Sequence, residues 1–204
     1  MQHGADIVIN SITKFLAGHS DVTLGYVAAR DPGLRTAIYD AAVTWGTTPS
    51  PFDCWLAERG LHTFDLRFEK AQATAAALAD ALAGRDGIRQ VIYPGRADHP
   101  HHNRAGTLFG GQFGNMLSFE IEGGRDEVNS FVMNAGGIPF APTLGDVGCT
   151  LSHPASSSHR VLTEEGRAAL GISEGYFRLS VGIEPPELVL AELDAALAAV
   201  RGES

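Results

Sequence analysis

Apolar and polar positions along the first part of the chain predict alternating strands and helices. The short run DIVI, residues 6–9, is typical of a fully buried strand, and TLGYVAA, residues 23–29, predicts a second strand. Two helices are expected over residues 31–45 and 50–59, because each begins with a capping Asp or Ser followed by Pro. A longer helix is expected over residues 63–83. This order predicts an α/β fold.

The second part of the chain has a different pattern. After a strand at residues 88–92 comes a polar segment rich in His and Gly, residues 94–115, to which no helix is assigned. The next strand, LSFEI, alternates apolar and polar residues, as the strands of half-solvated sheets do. The order of elements predicts an α+β domain with a mainly antiparallel sheet, and domains at residues 1–65 and 66–204. The LSFEI strand covers residues 117–121. The remaining elements are helices at 124–135, 163–170 and 186–200, a loop-rich stretch at 139–162 and a strand at 176–183.

Composition and charge narrow the classes of function. A chain of 204 residues with 44% hydrophobic and 19% charged residues is typical of a soluble globular protein. Its formal net charge of -9 argues against a nucleic-acid or anionic-membrane partner, because both need a concentrated basic surface. Cys54 and Cys149 are far apart and no apolar run could span a bilayer. We therefore expect a cytoplasmic protein.

The lysine content draws attention to Lys14. Of the 15 Lys and Arg residues, only Lys14 and Lys70 are lysines. Lys14 follows a predicted strand, and α/β sheets bind ligands at the carboxyl ends of their strands. A partly desolvated lysine loses its proton readily and reacts with carbonyl groups. The alternative is a solvated loop lysine, which the use of Arg almost everywhere else makes less attractive.

Two hydroxyl side chains precede Lys14 and indicate the kind of carbonyl compound. Ser11 and Thr13 lie three residues and one residue before it, and small polar loop residues of this kind suit a phosphate group. An aldehyde that carries a phosphate is pyridoxal 5'-phosphate (PLP), which enzymes hold as a lysine Schiff base. The pattern therefore favours a PLP site at Lys14.

Arg178 is a second candidate. In YFRLS it shares a strand face with Ser180, opposite Phe177 and Leu179. A guanidinium group can bind a substrate carboxylate through two parallel hydrogen bonds. The other interpretation is a charge that protects an exposed sheet face, and the segment alone leaves both open.

Two further motifs carry less weight. His99, His101 and His102 are close in sequence, but they lie in a loop interrupted by Pro and lack acidic or thiol companions, so we expect no metal site. GHSDV, residues 18–22, resembles a serine nucleophile elbow that lacks its last glycine. Adjacent Ser, His and Asp residues cannot form a catalytic triad, which leaves a serine hydrolase as a weak alternative.

Four segments together resemble the Cys/Met-metabolism (trans-sulfuration) family of PLP enzymes. This family includes cystathionine γ-synthase, cystathionine lyases, methionine γ-lyase and O-acetylhomoserine sulfhydrylase. The resemblance covers essentially the whole chain and implies the C-terminal part of a PLP-dependent transferase (aspartate aminotransferase-like) fold. Residues 1–65 would be the end of the large α/β domain and residues 66–204 the small α+β domain. The segments are GADIVINSITKFLAGHSDVTLG, SPFDCWLAERGLHTFDLR, TLGDVGCTLSHPASSSH and GISEGYFRLSVGIE.

The resemblance implies a role for each candidate residue. Lys14 would be the Schiff-base lysine, and Ser11 and Thr13 would bind the cofactor phosphate. Arg178 would bind the substrate α-carboxylate, with the hydroxyl of Thr143 beside it where the family usually has Ser.

Two positions depart from the family pattern. Pro142 stands where some cystathionine-cleaving members have an acidic residue, and Gly148 stands where a Glu is common. We therefore expect a loop of different shape around residue 148.

The implied activity is γ-elimination or γ-replacement on a sulfur-containing or O-acylated homoserine-type amino acid. Such enzymes also hold the cofactor through residues upstream of the lysine, so the chain resembles the C-terminal half of one. We expect a small amino-acid substrate and either a homo-oligomer or association with the N-terminal half. The alternative is a truncated, catalytically incompetent fragment that acts only in assembly.

Overall fold

The computed structural model describes residues 4–203, which fall into two compact units that meet in sequence between Asp65 and Leu66. A π-helical turn (Ile12–Leu16) follows the first strand, and a 3-10 turn (Pro154–Ser156) follows the fifth. The strands and helices are, in chain order, β1 (Ile7–Ser11), β2 (Gly25–Ala29), α1 (Pro32–Trp45), α2 (Pro51–Leu61), α3 (Phe64–Leu82), β3 (Ile88–Ile92), α4 (His102–Phe109), β4 (Met116–Ile121), α5 (Arg125–Asn134), β5 (Thr150–Ser152), α6 (Glu164–Ala168), β6 (Tyr176–Ser180) and α7 (Pro186–Val200).

The first unit contains a two-stranded sheet and two helices. Strand β1 pairs antiparallel with β2, from Ile7 opposite Ala29 to Ser11 opposite Gly25. The expectation that residues 6–9 form a fully buried strand is wrong, because the side chain of Ile9 is 75% exposed. Among the described residues β2 is the sole pairing partner of β1, so the other edge of β1 is unpaired.

Helices α1 and α2 begin where the sequence predicts. The carboxylate of Asp31 accepts a hydrogen bond from the Leu34 N–H at 2.8 Å, and the hydroxyl of Ser50 accepts one from the Asp53 N–H at 3.1 Å. Each cap satisfies an N–H group that the first turn of a helix leaves without a partner. Gly46 ends α1 in the left-handed conformation, φ 68°, which glycine adopts without steric cost.

The second unit contains a four-stranded antiparallel sheet with the strand order β3-β4-β6-β5. This confirms the predicted sheet type. Alternate residues of the central strands point into one hydrophobic core that also receives side chains from α3, α5 and α7. The buried aromatic and aliphatic residues include Phe119, Phe131, Phe177, Leu179 and Leu193.

Two elements lie in segments that were expected to be irregular. Helix α4 begins after His101, whose side chain makes no capping hydrogen bond, so the sequence contains no clear start signal. Strand β5 has three residues and pairs only with β6. A strand that short has too few residues to show a period-2 pattern, and its pairing is visible only in the folded sheet.

Candidate active site

Lys14 lies in the π-helical turn that directly follows β1. Its backbone angles, φ -82° and ψ -145°, interrupt the turn. The Ala17 N–H donates to Ile12 O at 2.9 Å, and the Gly18 N–H donates to Lys14 O at 2.9 Å. Isolated π-helical turns occur frequently at functional sites. The Lys14 side chain is half-buried, and within residues 4–203 no hydrogen bond or ion pair engages its amine.

Buried neighbours hold this turn in place. The ring of Phe15 packs edge-to-face against Phe64, with a centroid distance of 6.4 Å. Gly60 of α2 lies against the backbone of buried Ala17, and a Cβ atom on Gly60 would be 2.5 Å from Ala17 O. Glycine is therefore required at residue 60 for this approach of α2 to the lysine-bearing turn.

Thr13 makes hydrogen bonds with the backbone of Leu24. Its hydroxyl accepts from the Leu24 N–H at 2.8 Å and donates to Leu24 O at 3.1 Å. Leu24 O also accepts the Thr13 N–H at 3.0 Å. The Thr13 hydroxyl can therefore rotate its proton toward a phosphate oxygen. Leu24 O would then still accept the Thr13 N–H, and the Leu24 N–H would still hold the hydroxyl oxygen in place.

Ser11 is the last residue of β1 and makes no capping hydrogen bond to the turn. Ser11, Thr13 and Lys14 thus bring two hydroxyl groups and one amine together within four residues, all half-buried. This set of donors fits a ligand with a phosphate and an aldehyde, which is the chemistry that the sequence indicates for PLP.

Arg178 lies in the middle of the second unit's sheet, opposite Ser118 of β4 and Ser152 of β5. Its Nη2 donates to Thr143 O at 3.3 Å, whereas its Nε is buried and has no hydrogen-bond partner within residues 4–203. A buried donor without a partner costs about 1–3 kcal/mol. A carboxylate oxygen at Nε would satisfy it, and the role of Arg178 in binding a ligand stays a prediction.

Thr143 meets Arg178 through its backbone. The Thr143 carbonyl accepts one hydrogen bond from Arg178 Nη2 and another, at 3.4 Å, from the Thr150 hydroxyl. The side chain of Thr143 is exposed. The role of the Thr143 hydroxyl therefore stays a prediction. Thr143 and Arg178 lie in the second unit, and Ser11, Thr13 and Lys14 lie in the first.

Sequence reasoning gave no role to Glu184. Its carboxylate accepts a hydrogen bond from the Cys149 N–H at 2.6 Å, and the Cys149 thiol lies 3.2 Å from its other oxygen. A Cβ atom on Gly148 would be 3.7 Å from Glu184 Oε1. Glu184 is the last residue of the family-like segment GISEGYFRLSVGIE, but the sequence does not indicate which group its carboxylate binds.

The histidines have structural partners. His102 Nδ1 lies 2.9 Å from Pro94 O, and its ring stacks on Phe113. The buried ring of His153 lies between Ser156 Oγ at 2.9 Å and Glu174 O at 2.7 Å. Throughout residues 4–203, no three His, Cys, Asp or Glu side chains are grouped so that they could hold a metal ion. Nor does this part of the chain include a helix with the length and apolar character needed to cross a membrane.

Known proteins resemble this chain over nearly its whole length. The family model of the Cys/Met metabolism PLP-dependent enzymes matches residues 1–198. Cystathionine beta-lyase MetC of Bacillus subtilis is 40% identical over 194 residues, which are 95% of this chain and 49% of the relative. O-succinylhomoserine sulfhydrylase of Pseudomonas aeruginosa is 37% identical over 197 residues, covering 97% of this chain and 48% of that protein.

A solved structure is similar over the whole chain. Cystathionine gamma synthase of Xanthomonas oryzae pv. oryzae, in complex with cystathionine, has a TM-score of 0.89 at 43% identity, covering 100% of this chain and 52% of that one. The chain spans about half the length of the relatives that it matches. The resemblance inferred from the sequence is confirmed, and the chain belongs to the Cys/Met metabolism family of PLP-dependent enzymes.

Proposed function

We propose that this chain is the catalytic portion of a PLP-dependent trans-sulfuration enzyme. It would cleave or form a C–S bond by γ-elimination or γ-replacement on a sulfur-containing or O-acylated homoserine-type amino acid. Residues 1–65 would be the end of the large PLP-binding domain, and residues 66–204 the small domain. The grouping of Lys14 and Thr13 on one turn, with Ser11 directly before it, carries the proposal, and the names of the relatives supply the reaction class.

The first unit would hold the cofactor. Ser11 and Thr13 would donate their hydroxyl protons to the phosphate, and Lys14 would attach the aldehyde through its amine. When bound, PLP would supply an electron sink for negative charge at the α-carbon of the substrate. With the substrate bound, the amine of Lys14 would remove the α-proton as a general base.

The second unit would bind the amino acid by its carboxylate. Among the described residues the buried Nε of Arg178 has no hydrogen-bond partner, and Nη2 makes a long hydrogen bond, at 3.3 Å, to Thr143 O, so both nitrogens would keep an N–H for a carboxylate. Two parallel charged hydrogen bonds fix orientation as well as position. A fixed carboxylate would keep the bond that breaks aligned with the π orbitals of the cofactor.

Product analysis tests the proposal. The chain with added PLP is incubated with L-cystathionine, and separately with O-succinyl-L-homoserine and L-cysteine. The proposal predicts either a 2-oxo acid and ammonia or a new thioether, and neither with Lys14→Ala. Turnover that persists in Lys14→Ala would overturn the catalytic assignment.

The exposed apolar surface of the first unit favours an association. Helix α1 has no buried residue, and Ile9, Tyr39 and Trp45 are 75%, 69% and 83% exposed. An apolar surface of this kind marks an interaction site. We infer that it packs against polypeptide equivalent to the other half of the relatives, whether on the same chain or on another, or against a second copy.

The alternative function follows from this surface. If the chain assembles but neither attaches PLP nor turns over an amino acid, it acts only in assembly. Light scattering of the chain alone and of the chain mixed with the other half of a relative distinguishes the cases. A monomer in both samples would contradict the association.

The unpaired Cys54 and Cys149 support a cytoplasmic setting.

A further inference from the structure

The loop of residues 143–149 is attached to the segment of chain that includes the end of β6. The Gly145 N–H donates to Ser180 Oγ at 3.0 Å, and the Ile183 N–H donates to Val147 O at 2.8 Å. Glu184 makes the third attachment, through Cys149. Because each bond joins the loop to the strand that carries Arg178, or to its continuation, the loop and the arginine are positioned by the same segment.

The Glu184 attachment is the most elaborate of these contacts. Its two oxygens lie 2.6 Å from Cys149 N and 3.2 Å from Cys149 Sγ, and the Gly182 N–H donates to the same sulfur at 3.2 Å. Burial raises the pKa of Cys149 to about 12. The Gly182 N–H, which lowers this pKa, and the Glu184 carboxylate, which raises it, have smaller effects. The thiol therefore keeps its proton and donates to the carboxylate at neutral pH.

Glycines on both sides leave room for the carboxylate. A Cβ atom on Gly182 would be 2.5 Å from Glu184 Oε2 and would also collide with Val147 O. Gly148 has only van der Waals contact with Glu184 Oε1. The Glu that is common in the family at residue 148 is absent, and a carboxylate that begins outside the loop occupies the adjacent space.

The other end of the loop contacts Arg178. Thr143 O accepts hydrogen bonds from Arg178 Nη2 and from the Thr150 hydroxyl. The chain is held before Thr143 by the Ala141 N–H, which donates to Leu151 O at 2.9 Å, and after it by the attachments of the loop up to Cys149. The bond from Nη2 fixes the orientation of the guanidinium, whose buried Nε has no hydrogen-bond partner among the described residues. If the loop shifted, Arg178 would lose this anchor.

We propose that Glu184 is a positioning residue for the carboxylate-binding arginine, acting through the 143–149 loop. This rests on the proposed function, in which Arg178 binds the substrate carboxylate. Glu184 itself would not touch the substrate. It would hold the loop from outside, through the Cys149 N–H and thiol.

The experiment compares Glu184→Ala, Glu184→Gln and the control Glu187→Ala by NMR of the full chain. Glu187 is exposed in the first turn of α7. The readouts are the Arg178 Nε–H resonance without ligand, the dissociation constant for L-alanine as a carboxylate probe, and the thermal midpoint. Glu184→Asp replaces Glu184→Ala if the latter does not fold, because the shorter side chain also cannot reach the Cys149 N–H.

We expect Glu184→Ala to shift the Arg178 Nε–H resonance and to weaken L-alanine binding about tenfold, as loss of orientation does. Glu184→Gln keeps an acceptor for the Cys149 N–H and should restore both readouts, and Glu187→Ala should change neither. A lower thermal midpoint with an unchanged Arg178 resonance would overturn the inference. If L-alanine fails to move the resonance in the wild type, the proposed function fails at Arg178, and the ligand-free spectra still decide the role of Glu184.

Discussion

Gly60 and Ala17 approach each other so closely that helix α2 can pack against the Lys14 turn only without a side chain at residue 60. A Cβ atom there would be 2.5 Å from Ala17 O and 2.8 Å from Ala17 Cα. The residue that determines the place of the lysine turn is therefore 46 positions away in sequence and has no chemistry of its own.

Gly60→Ala should displace the Lys14 turn. Overpacking of this kind costs about 1–3 kcal/mol of unfolding free energy, and we expect weaker PLP attachment in the protein that remains folded. Urea unfolding and PLP titration measure the two effects. Gly84→Ala is the control, because a Cβ atom there would meet nothing within 4 Å. Equal free energies of unfolding and equal PLP affinities in the two variants would show that the close approach of Gly60 to Ala17 is unimportant.

Arg178→Leu should remove carboxylate binding and leave PLP attachment intact. The loss of charged hydrogen bonds at about 1.5–3 kcal/mol each corresponds to a rise of at least about tenfold in the dissociation constant of the amino acid. Arg178→Lys should recover only part of the affinity, because an ammonium cannot form the two parallel bonds.

The control for Arg178 is Arg89→Leu, since Arg89 is an exposed β3 residue whose ion pair with Glu120 lies at 2.8 Å. Surface pairs of this kind contribute little, so substrate binding should not change. An unaltered dissociation constant in Arg178→Leu would remove Arg178 from the site.

The two cysteines should differ in reactivity. Cys54 is exposed, whereas Cys149 is buried with its pKa raised to about 12, and thiolates rather than thiols react. In the native protein at pH 8, an aromatic disulfide reagent should modify one thiol quickly and the second only after denaturant is added. Peptide mapping should locate the fast site at Cys54. Rapid modification of Cys149 would contradict the described burial.

His153 should make stability depend on pH. Burial lowers its pKa below the ordinary value of 6.5, and the positive charges of Arg125 and Arg167 act in the same direction, while Glu174 opposes them. The unfolded chain therefore binds a proton that the folded chain rejects. The contribution of His153 to stability is complete above pH 6.5 and declines as the pH falls from 6.5 toward the folded-state pKa.

Urea unfolding at a series of pH values measures how steeply the free energy of unfolding changes with pH. His153→Gln should reduce it, and His101→Gln, at an exposed ring, should not. A slope that is the same in both variants and the wild type would assign the acid sensitivity to other groups.

Local sequence patterns predicted those features that depend on neighbouring residues. The caps at Asp31 and Ser50 and the alternation around Phe177 and Leu179 gave two helix starts and a central strand correctly. Burial of residues 6–9 was wrong because an apolar run shows that a strand could be buried, whereas the neighbouring chain decides whether it is.

In the candidate site, too, the sequence grouped residues that are close along the chain and did not reveal a contact between distant ones. Ser11 ends β1, and Thr13 and Lys14 lie in the turn that follows it, so composition and spacing were enough to group them. The attachment of Glu184 to Cys149 joins residues 35 positions apart, and no local pattern predicts which backbone N–H a distant carboxylate will bind.

Attachment of PLP to Lys14 tests the central claim most directly. The chain is incubated with PLP, alone and with the other half of a relative, reduced with borohydride, digested and mapped by mass spectrometry. Lys14 and Lys70 are the only two lysines, so Lys70 serves as an internal control. The account predicts a phosphopyridoxyl group on Lys14, absent in Lys14→Ala and unaffected by Lys70→Ala. Equal labelling of the two lysines, or none on Lys14 in either preparation, would contradict it.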